Sequence, residues 1–333
     1  MTSRPSLHLV VATLALVAMH DIAAAQPSAT AVLTDAGFSA SDVHSALGGE
    51  LVSADAPPAS ERDLSVAMAF LVKTSPEDLS RHIMAGALAG TDPQVRAHGA
   101  FSNPGSVADL SGLQIAPDVA RAFLQAKPGE ALNLAGTEIA AFNALQGAAD
   151  PAQAARAQLH SMLLARLQAY RASGLNGIAP YARGGGADTN VGNELREAST
   201  ALRVLAKYLP AFQAVLVGYP TTTLPGMREE FYWVDYDIDG TATYALTHVL
   251  SAADGAGRVV AQREYYVSTG YNCEQAVAGL LPVQEGTLVA YVNHTFTDQI
   301  AGLGGSMKRR IGQHLMADKL TTLFEQERSR LAK

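Results

Sequence analysis

The clearest pattern along the chain lies in its last third, where four runs alternate apolar and polar positions before one long amphipathic segment. In Glu229 to Ile238 a period of two puts Tyr232, Val234, Tyr236 and Ile238 on one face. In Thr241 to Ser251 the apolar face is Ala242, Tyr244, Leu246, His248 and Leu250, and the opposite face is largely Thr and Ser. Asp239-Gly240 between these runs is a hairpin-type dipeptide, and Asp254-Gly255 marks the next turn. Arg258 to Ser268 is less clearly sided: Val259, Ala261, Tyr265 and Val267 oppose Val260, Glu264 and Tyr266. Thr287 to Phe296 groups Leu288, Ala290, Val292, His294 and Phe296. Gly302, Gly304 and Gly305 then make a joint, and Ser306 is placed to cap a helix. Ile311, Leu315, Leu320, Leu323, Phe324 and Leu331 give that helix its apolar stripe.

Upstream, Ser39 is placed to cap a short helix with Val43 and Leu47 on one side. Leu64 to Val72 reads as a strand. Thr74-Ser75-Pro76-Glu77 has the makings of a helix start, with a hydroxyl cap and Pro in the first turn, and predicts a helix to Met84. Val95 to Phe101 reads as a second strand. Residues 115 to 210 are helical in pattern: Ala155, Leu159, Met162, Leu163, Leu167 and Tyr170 recur at three- and four-residue steps, as do Leu195, Ala198, Leu202, Leu205 and Leu209. Gly184-Gly185-Gly186 lacks the preceding strand and the Lys-Ser/Thr pair of a phosphate cradle and reads as a loop.

Four strands followed by a long helix resemble the C-terminal half of the START-like, or helix-grip, fold. The strand and helix of residues 64–101 resemble that fold's opening. The resemblance implies an α+β class: an antiparallel sheet grips the C-terminal helix of residues 228–333, and the helices of residues 115–217 form a large insertion. Fold alone does not fix function.

The N-terminus adds an address. Arg4, the apolar run Leu7 to Met19 and Ala23-Ala24-Ala25 before Gln26 have the layout of an export signal over residues 1–25. The run is too short to span a bilayer, which takes about 20 residues. The expectation is a single periplasmic or secreted unit over residues 26–333, with no membrane-spanning segment after signal removal. A net charge of -7 argues against nucleic acid as a partner, since phosphate contacts need clustered Lys and Arg. The basic concentration is in the last helix, where Lys308, Arg309, Arg310, Lys319, Arg328, Arg330 and Lys333 stand against Asp318, Glu325 and Glu327. That face either complements the helix dipole or touches an anionic membrane surface. Cys273 is the sole cysteine, so no intrachain disulfide forms and the fold rests on its core.

Several short stretches carry a further likeness: Ala36-Gly37-Phe38-Ser39, Gly99-Ala100-Phe101-Ser102 with Asp109-Leu110, Pro128-Gly129-Glu130, Gly218-Tyr219-Pro220, Phe231-Tyr232-Trp233, Thr247-His248 and Tyr266-Val267-Ser268. Together they resemble an uncharacterised family of exported bacterial proteins. That family often has Cys on each side of the Pro-Gly turn, where this chain has Ala126 and Ala131. It tends to have His-Tyr where this chain has Thr269-Gly270. The resemblance implies a single exported unit and supplies no substrate.

Candidate chemistry sits on the strand faces. Tyr232, Tyr236, Tyr244, His248, Tyr266 and His294 stand among Leu, Val and Ile, which is the composition of a small-molecule pocket that is mostly apolar with a few polar groups. The expected function is a periplasmic binding module for a lipid or other hydrophobic small molecule, without a cofactor. The alternatives are an enzyme of cyclase or hydrolase type using His248 or His294 as base and Tyr244 as acid, or an envelope interaction protein. A metal site would require His248, His294 and Glu264 to share one face, and no close His spacing suggests it. Cys273 beside Glu274 lacks the electropositive setting of a nucleophile. Asp235 and Asp237 share a face read as solvated.

Overall fold

The computed structural model describes residues 28–185, 187–302 and 304–331. The export signal expected over residues 1–25 lies outside the described residues. Eight strands form one antiparallel sheet: β1 (Val52–Asp55), β2 (Asp63–Val72), β3 (Val95–Ala100), β4 (Arg228–Ile238), β5 (Thr241–Asp254), β6 (Gly257–Val267), β7 (Cys273–Val283) and β8 (Gly286–Phe296). The order is β1-β2-β8-β7-β6-β5-β4-β3. Strands β4 to β8 run as a meander, β2 pairs with the last strand, and short β1 and β3 close the two edges. The β4–β5 turn follows from its residues. Asp239 and Gly240 both have positive φ, 51° and 82°, as a two-residue hairpin with right-handed twist requires.

Helices cover both faces. Helices α3 (Pro76–Met84), α4 (Ala87–Thr91) and α11 (Gly305–Leu331) lie on one face, where Leu79, Met84 and Phe324 meet Met68, Phe70, Val260, Leu280 and Val289. Helices α1 (Ala29–Asp35), α2 (Ala40–Leu47), α5 (Pro117–Leu124), α6 (Gly136–Asn143), α7 (Pro151–Ser173), α8 (Val191–Ala201), α9 (Arg203–Tyr208) and α10 (Pro210–Gly218) lie on the other. There Leu159, Leu163 and Leu167 of α7 pack against Phe231, Trp233, Tyr244 and Leu246. Ser39 caps α2 through a reciprocal capping box with Asp42. Ser75 accepts from the Asp78 amide ahead of α3, with Pro76 at the helix start. The mixed α+β class therefore stands, and so does the helical character of the middle of the chain.

Three expectations change. Strand β7 had no readable alternation because Ala276, Val277, Ala278, Leu280 and Leu281 are buried on both of its sides. Helix α11 starts at Gly305, which puts Ser306 inside its first turn. Only the second half of its stripe faces the protein. Phe324 meets Phe70 and Tyr291 at ring distances of 4.8 and 4.9 Å, whereas Met307, Ile311 and Leu315 are 71%, 57% and 57% exposed. Among the described residues, no helix is long and apolar enough to cross a membrane.

Trp233 ties edge strand β3 to the helical layer. Its indole Nε1 donates to the Asp109 carbonyl at 2.8 Å and lies across Gly99, its cross-strand partner. A Cβ on Gly99 would stand 2.7 Å from that nitrogen, so glycine here is a matter of close approach. Gly99→Ala should destabilise the protein by about 1–3 kcal/mol through displacement of the indole. An unchanged denaturation midpoint would show that the ring moves freely.

Candidate functional site

The strand register decides which side chains can meet. Tyr232 pairs with Thr247, and Tyr236 with Thr243, so these two tyrosines point to the α11 face. Phe231 pairs with His248, and Asp235 with Tyr244, so His248 and Tyr244 point to the helical layer. His294 opposes Gln275 and Ser65 and points the same way. A register shift beside Leu246 inserts one extra residue into β6. This bulge turns Tyr265 and Tyr266 toward the helical layer together, which a strict alternation cannot do. The six tyrosines and histidines expected to line one cavity are thus split between two faces, Tyr232 and Tyr236 on one and Tyr244, His248, Tyr266 and His294 on the other.

Under the helical layer many polar groups bond one another, although the Tyr265 and Tyr266 hydroxyls, Arg166 Nε and Asp63 Oδ1 have no partner. Arg263 is 1% exposed and donates to the Tyr170 hydroxyl, the Leu216 carbonyl and the Gln275 side chain. Tyr170 donates in turn to His248 Nδ1 at 3.1 Å, and His248 Nε2 donates to Glu229 at 3.1 Å. Both ring nitrogens of His248 are therefore occupied, and burial pushes its imidazole down to about 4. The hydrogen bond from that ring holds the Glu229 carboxyl below its ordinary range. Tyr244 donates to the Gln114 carbonyl, away from His248, so the two reach no common atom as base and acid. His294 Nδ1 is held at 2.7 Å by Asp63, buried with it. Tyr266 lies 4.3 Å beneath the Arg166 guanidinium. Asp235, read as solvated, is 6% exposed and paired with Arg96. Burial and the Glu194 carboxylate push the Cys273 thiol up.

The α11 face is different. Glu264 and Glu274 stand directly opposite each other on β6 and β7. Such partners have Cβ atoms roughly 5 Å apart. Tyr236 donates to Glu264 at 2.7 Å, and Tyr271 donates to its other oxygen. Thr295 donates to Glu274 at 3.2 Å, and Asn293 donates to the Tyr291 hydroxyl beside them. Burial, and then the facing Glu264, push Glu274 up to about 8; burial also raises Glu264, against the two phenols that stabilise its charge. Tyr236 and Tyr271 are held well above the usual phenol range by burial and by Glu264, and remain donors. Tyr232 serves the scaffold by donating to the Met84 carbonyl at the end of α3.

Adjoining these acids is a slot between the sheet and helices α3, α4 and α11. Its walls include Phe70, Leu79, Ile83, Ala278, Val289 and Phe324, and its surface is almost wholly apolar. The slot holds about 660 Å³ of free space out to its open mouth, of which about 70 Å³ is wide enough for the centre of a water molecule. Gln262 and Ala276, one same-face step from Glu264 and Glu274, form the end of the slot nearest the acids. Among the described residues no group of three or more His, Cys, Asp and Glu could hold a metal ion, and Glu264 faces away from His248 and His294.

The sequence reading passed over Glu274, Tyr271 and Asn293 as site residues. The available signal was a carboxylate within each of two runs rich in Val, Ala, Leu and Tyr, since carboxylates are seldom buried without a purpose or a partner. Comparison with known protein families, curated proteins and solved structures finds no match for this chain.

The buried His248 predicts a pH dependence. The unfolded chain takes up a proton near the ordinary histidine value of about 6.5, and the folded one does so only near 4. Between these values the unfolded state binds more protons, so stability falls as pH drops from 6.5 to 4 and is flat in this respect above 6.5. The contribution is about 3 kcal/mol. Urea denaturation of the wild type and His248→Phe at pH 4, 5, 6 and 7 should show a slope in the first that is reduced in the second. Parallel profiles would mean that His248 is charged in the folded state.

Proposed function

We propose that the protein is a binding module for a small, mostly apolar molecule, held in the slot between the sheet and α11. The observation that carries this reading is the slot itself, an apolar channel with a few polar residues, His82, Gln262, Glu327 and Arg328, in its lining, the usual composition of a small-molecule site. The chain order supports a START-like reading of the scaffold. An opening strand, β2, pairs with the last strand, two helices follow it, and a meander leads to a C-terminal helix on the same face. In that reading the chain between β3 and β4, residues 101–227, is the insertion and covers the other face. The export signal read from the sequence places the module in the periplasm or outside the cell.

The slot's width limits the ligand. Ligand sites of drug-sized molecules run to about 300–1,000 Å³, so a bulky lipid requires α11 to move outward, whereas a single short chain fits more nearly as the slot stands. Helix α11 is held by the Phe324 ring cluster, by Met316, Leu320 and Leu331 on the sheet core, and by polar ties that include Arg309 on the Glu61 carbonyl, Gln313 on the Ser65 carbonyl, Arg328 on the Gly49 carbonyl, and Glu327 against His82 and Thr91.

A neutral apolar dye, N-phenylnaphthylamine, should brighten on binding the wild type. Ala278→Leu, which extends the slot floor into free space, should weaken that binding at least about tenfold with the circular dichroism unchanged. Equal binding to both proteins, or none to the wild type, would remove the slot as the site.

We also infer that α11's outer face contacts an anionic membrane surface. Met307, Ile311 and Leu315 recur at four-residue steps, exposed, beside Lys308 and Arg310. Phosphatidylglycerol vesicles should sediment the protein, and Ile311→Asp should lower the bound fraction severalfold. Equal sedimentation with phosphatidylcholine vesicles would overturn this.

A further inference from the structure

We propose that the molecule taken by the slot carries a protonated amine, bound between Glu264 and Glu274. The inference rests on the slot reading and adds the chemistry of the ligand's polar end.

Three observations converge. First, the two carboxyls face each other across β6 and β7 on the α11 face, and among the described residues neither forms an ion pair with Lys, Arg or His. The other buried acids among the described residues each have a basic partner: Asp235 has Arg96, Glu194 has Arg62, Glu327 has His82, and Asp63 has His294 on one of its oxygens. Glu264 is buried and Glu274 partly so, and two carboxyls held together without a cation are relieved either by one keeping its proton, as burial and the facing Glu264 favour for Glu274, or by a bound cation. Second, Thr247 pairs with Glu264 on the same face, is 4% exposed, and its hydroxyl has no hydrogen-bond partner. A buried polar atom left unsatisfied costs roughly 1–3 kcal/mol, which an N–H donor in the site would relieve. Third, the acids stand one same-face step beyond Gln262 and Ala276 at the end of the slot, about 7 Å along the strands. An alkyl chain in the slot and an ammonium at the acids are therefore within the reach of one small molecule.

The surrounding groups suit an ammonium. Its three N–H groups need acceptors, and the site offers four carboxyl oxygens and the Thr247 oxygen. Tyr236 and Tyr271 donate to Glu264 and so fix its carboxylate while leaving lone pairs free. Binding of the cation displaces the proton that Glu274 retains at neutral pH, so binding releases a proton to solvent. An anionic head would meet repulsion from Glu264, and a neutral alcohol would make only an ordinary hydrogen bond.

Displacement of the dye by hexylamine, hexanol and hexanoic acid tests this on the full chain. At neutral pH hexylamine should compete at least about tenfold better than hexanol, and hexanoic acid should compete worst. Glu264→Gln and Glu274→Gln, which keep the side-chain shape, should bring hexylamine to the level of hexanol and leave hexanol unchanged. In the wild type, hexylamine affinity should rise from pH 6 to pH 9 while hexanol affinity stays flat. Equal competition by amine and alcohol in the wild type, or an amine preference that survives both variants, overturns the inference and leaves the slot reading intact. Failure of the dye itself to bind the wild type removes the slot reading as well.

Discussion

A sheet buried on both faces has no solvent side on which to place its polar residues. Every Tyr, His, Arg and Glu along β4 to β8 must find partners within the protein or remain a liability, because a buried polar atom without a bond costs more than the bond would have contributed. The two faces meet this demand in different ways. Under the helical layer, Arg263, Tyr170, His248 and Glu229 form one chain of donors and acceptors, closed by Gln275 and the Leu216 carbonyl. The chain runs from a cation to a carboxylate through neutral groups. That arrangement satisfies the donors of a fully buried Arg263 without a carboxylate in contact.

On the α11 face the demand is met only in part. Glu264 is bonded by two phenols, but neither it nor the facing Glu274 has a cation beside it among the described residues, and the Thr247 hydroxyl has no partner. The same face carries the apolar slot, between the sheet and helices α3, α4 and α11, while Met307, Ile311 and Leu315 of α11 stay exposed. Unsatisfied polarity next to unfilled apolar space is the combination that a bound molecule with an apolar body and a polar end would complete. Against the sheet, the helical layer is filled by Leu159, Leu163, Leu167 and stacked rings such as Tyr170 on Tyr265 at 4.0 Å, so the Tyr265 and Tyr266 hydroxyls, which also have no partner, sit in packed surroundings.

Local chemistry was legible along much of the chain. Ser39, Ser75 and Asp239-Gly240 each fixed a cap or a turn by short-range bonding or backbone preference, and the strands and helices they bound formed where the pattern put them. Helix α7 was legible from apolar spacing, whereas the stripe Leu195 to Leu209, read as one helix, is divided between α8 and α9 where Leu202 leaves the helical backbone. Strand β7 was not, since Ala, Gly and Leu buried on both sides leave no alternation to read. The candidate site was legible only as residue types. Alternation correctly separated Tyr232 from Trp233 and Tyr244 from Thr243, because neighbours in a strand point opposite ways whatever the fold.

The sequence by itself determined the α+β class, the main strands and helices, and which residues of one strand share a side. Tertiary structure alone decided which side of β5 lies with which side of β4, because period two specifies a face only relative to its own strand. With helices on both faces, an apolar side no longer means the same side from strand to strand, and so Tyr232 and His248 ended on opposite surfaces. Register also brought Glu264 to Glu274, ten positions away, and the bulge beside Leu246 turned Tyr265 and Tyr266 together. Those pairings depend on the register between neighbouring strands and on the helices packed over each face, which the alternation within one strand does not encode.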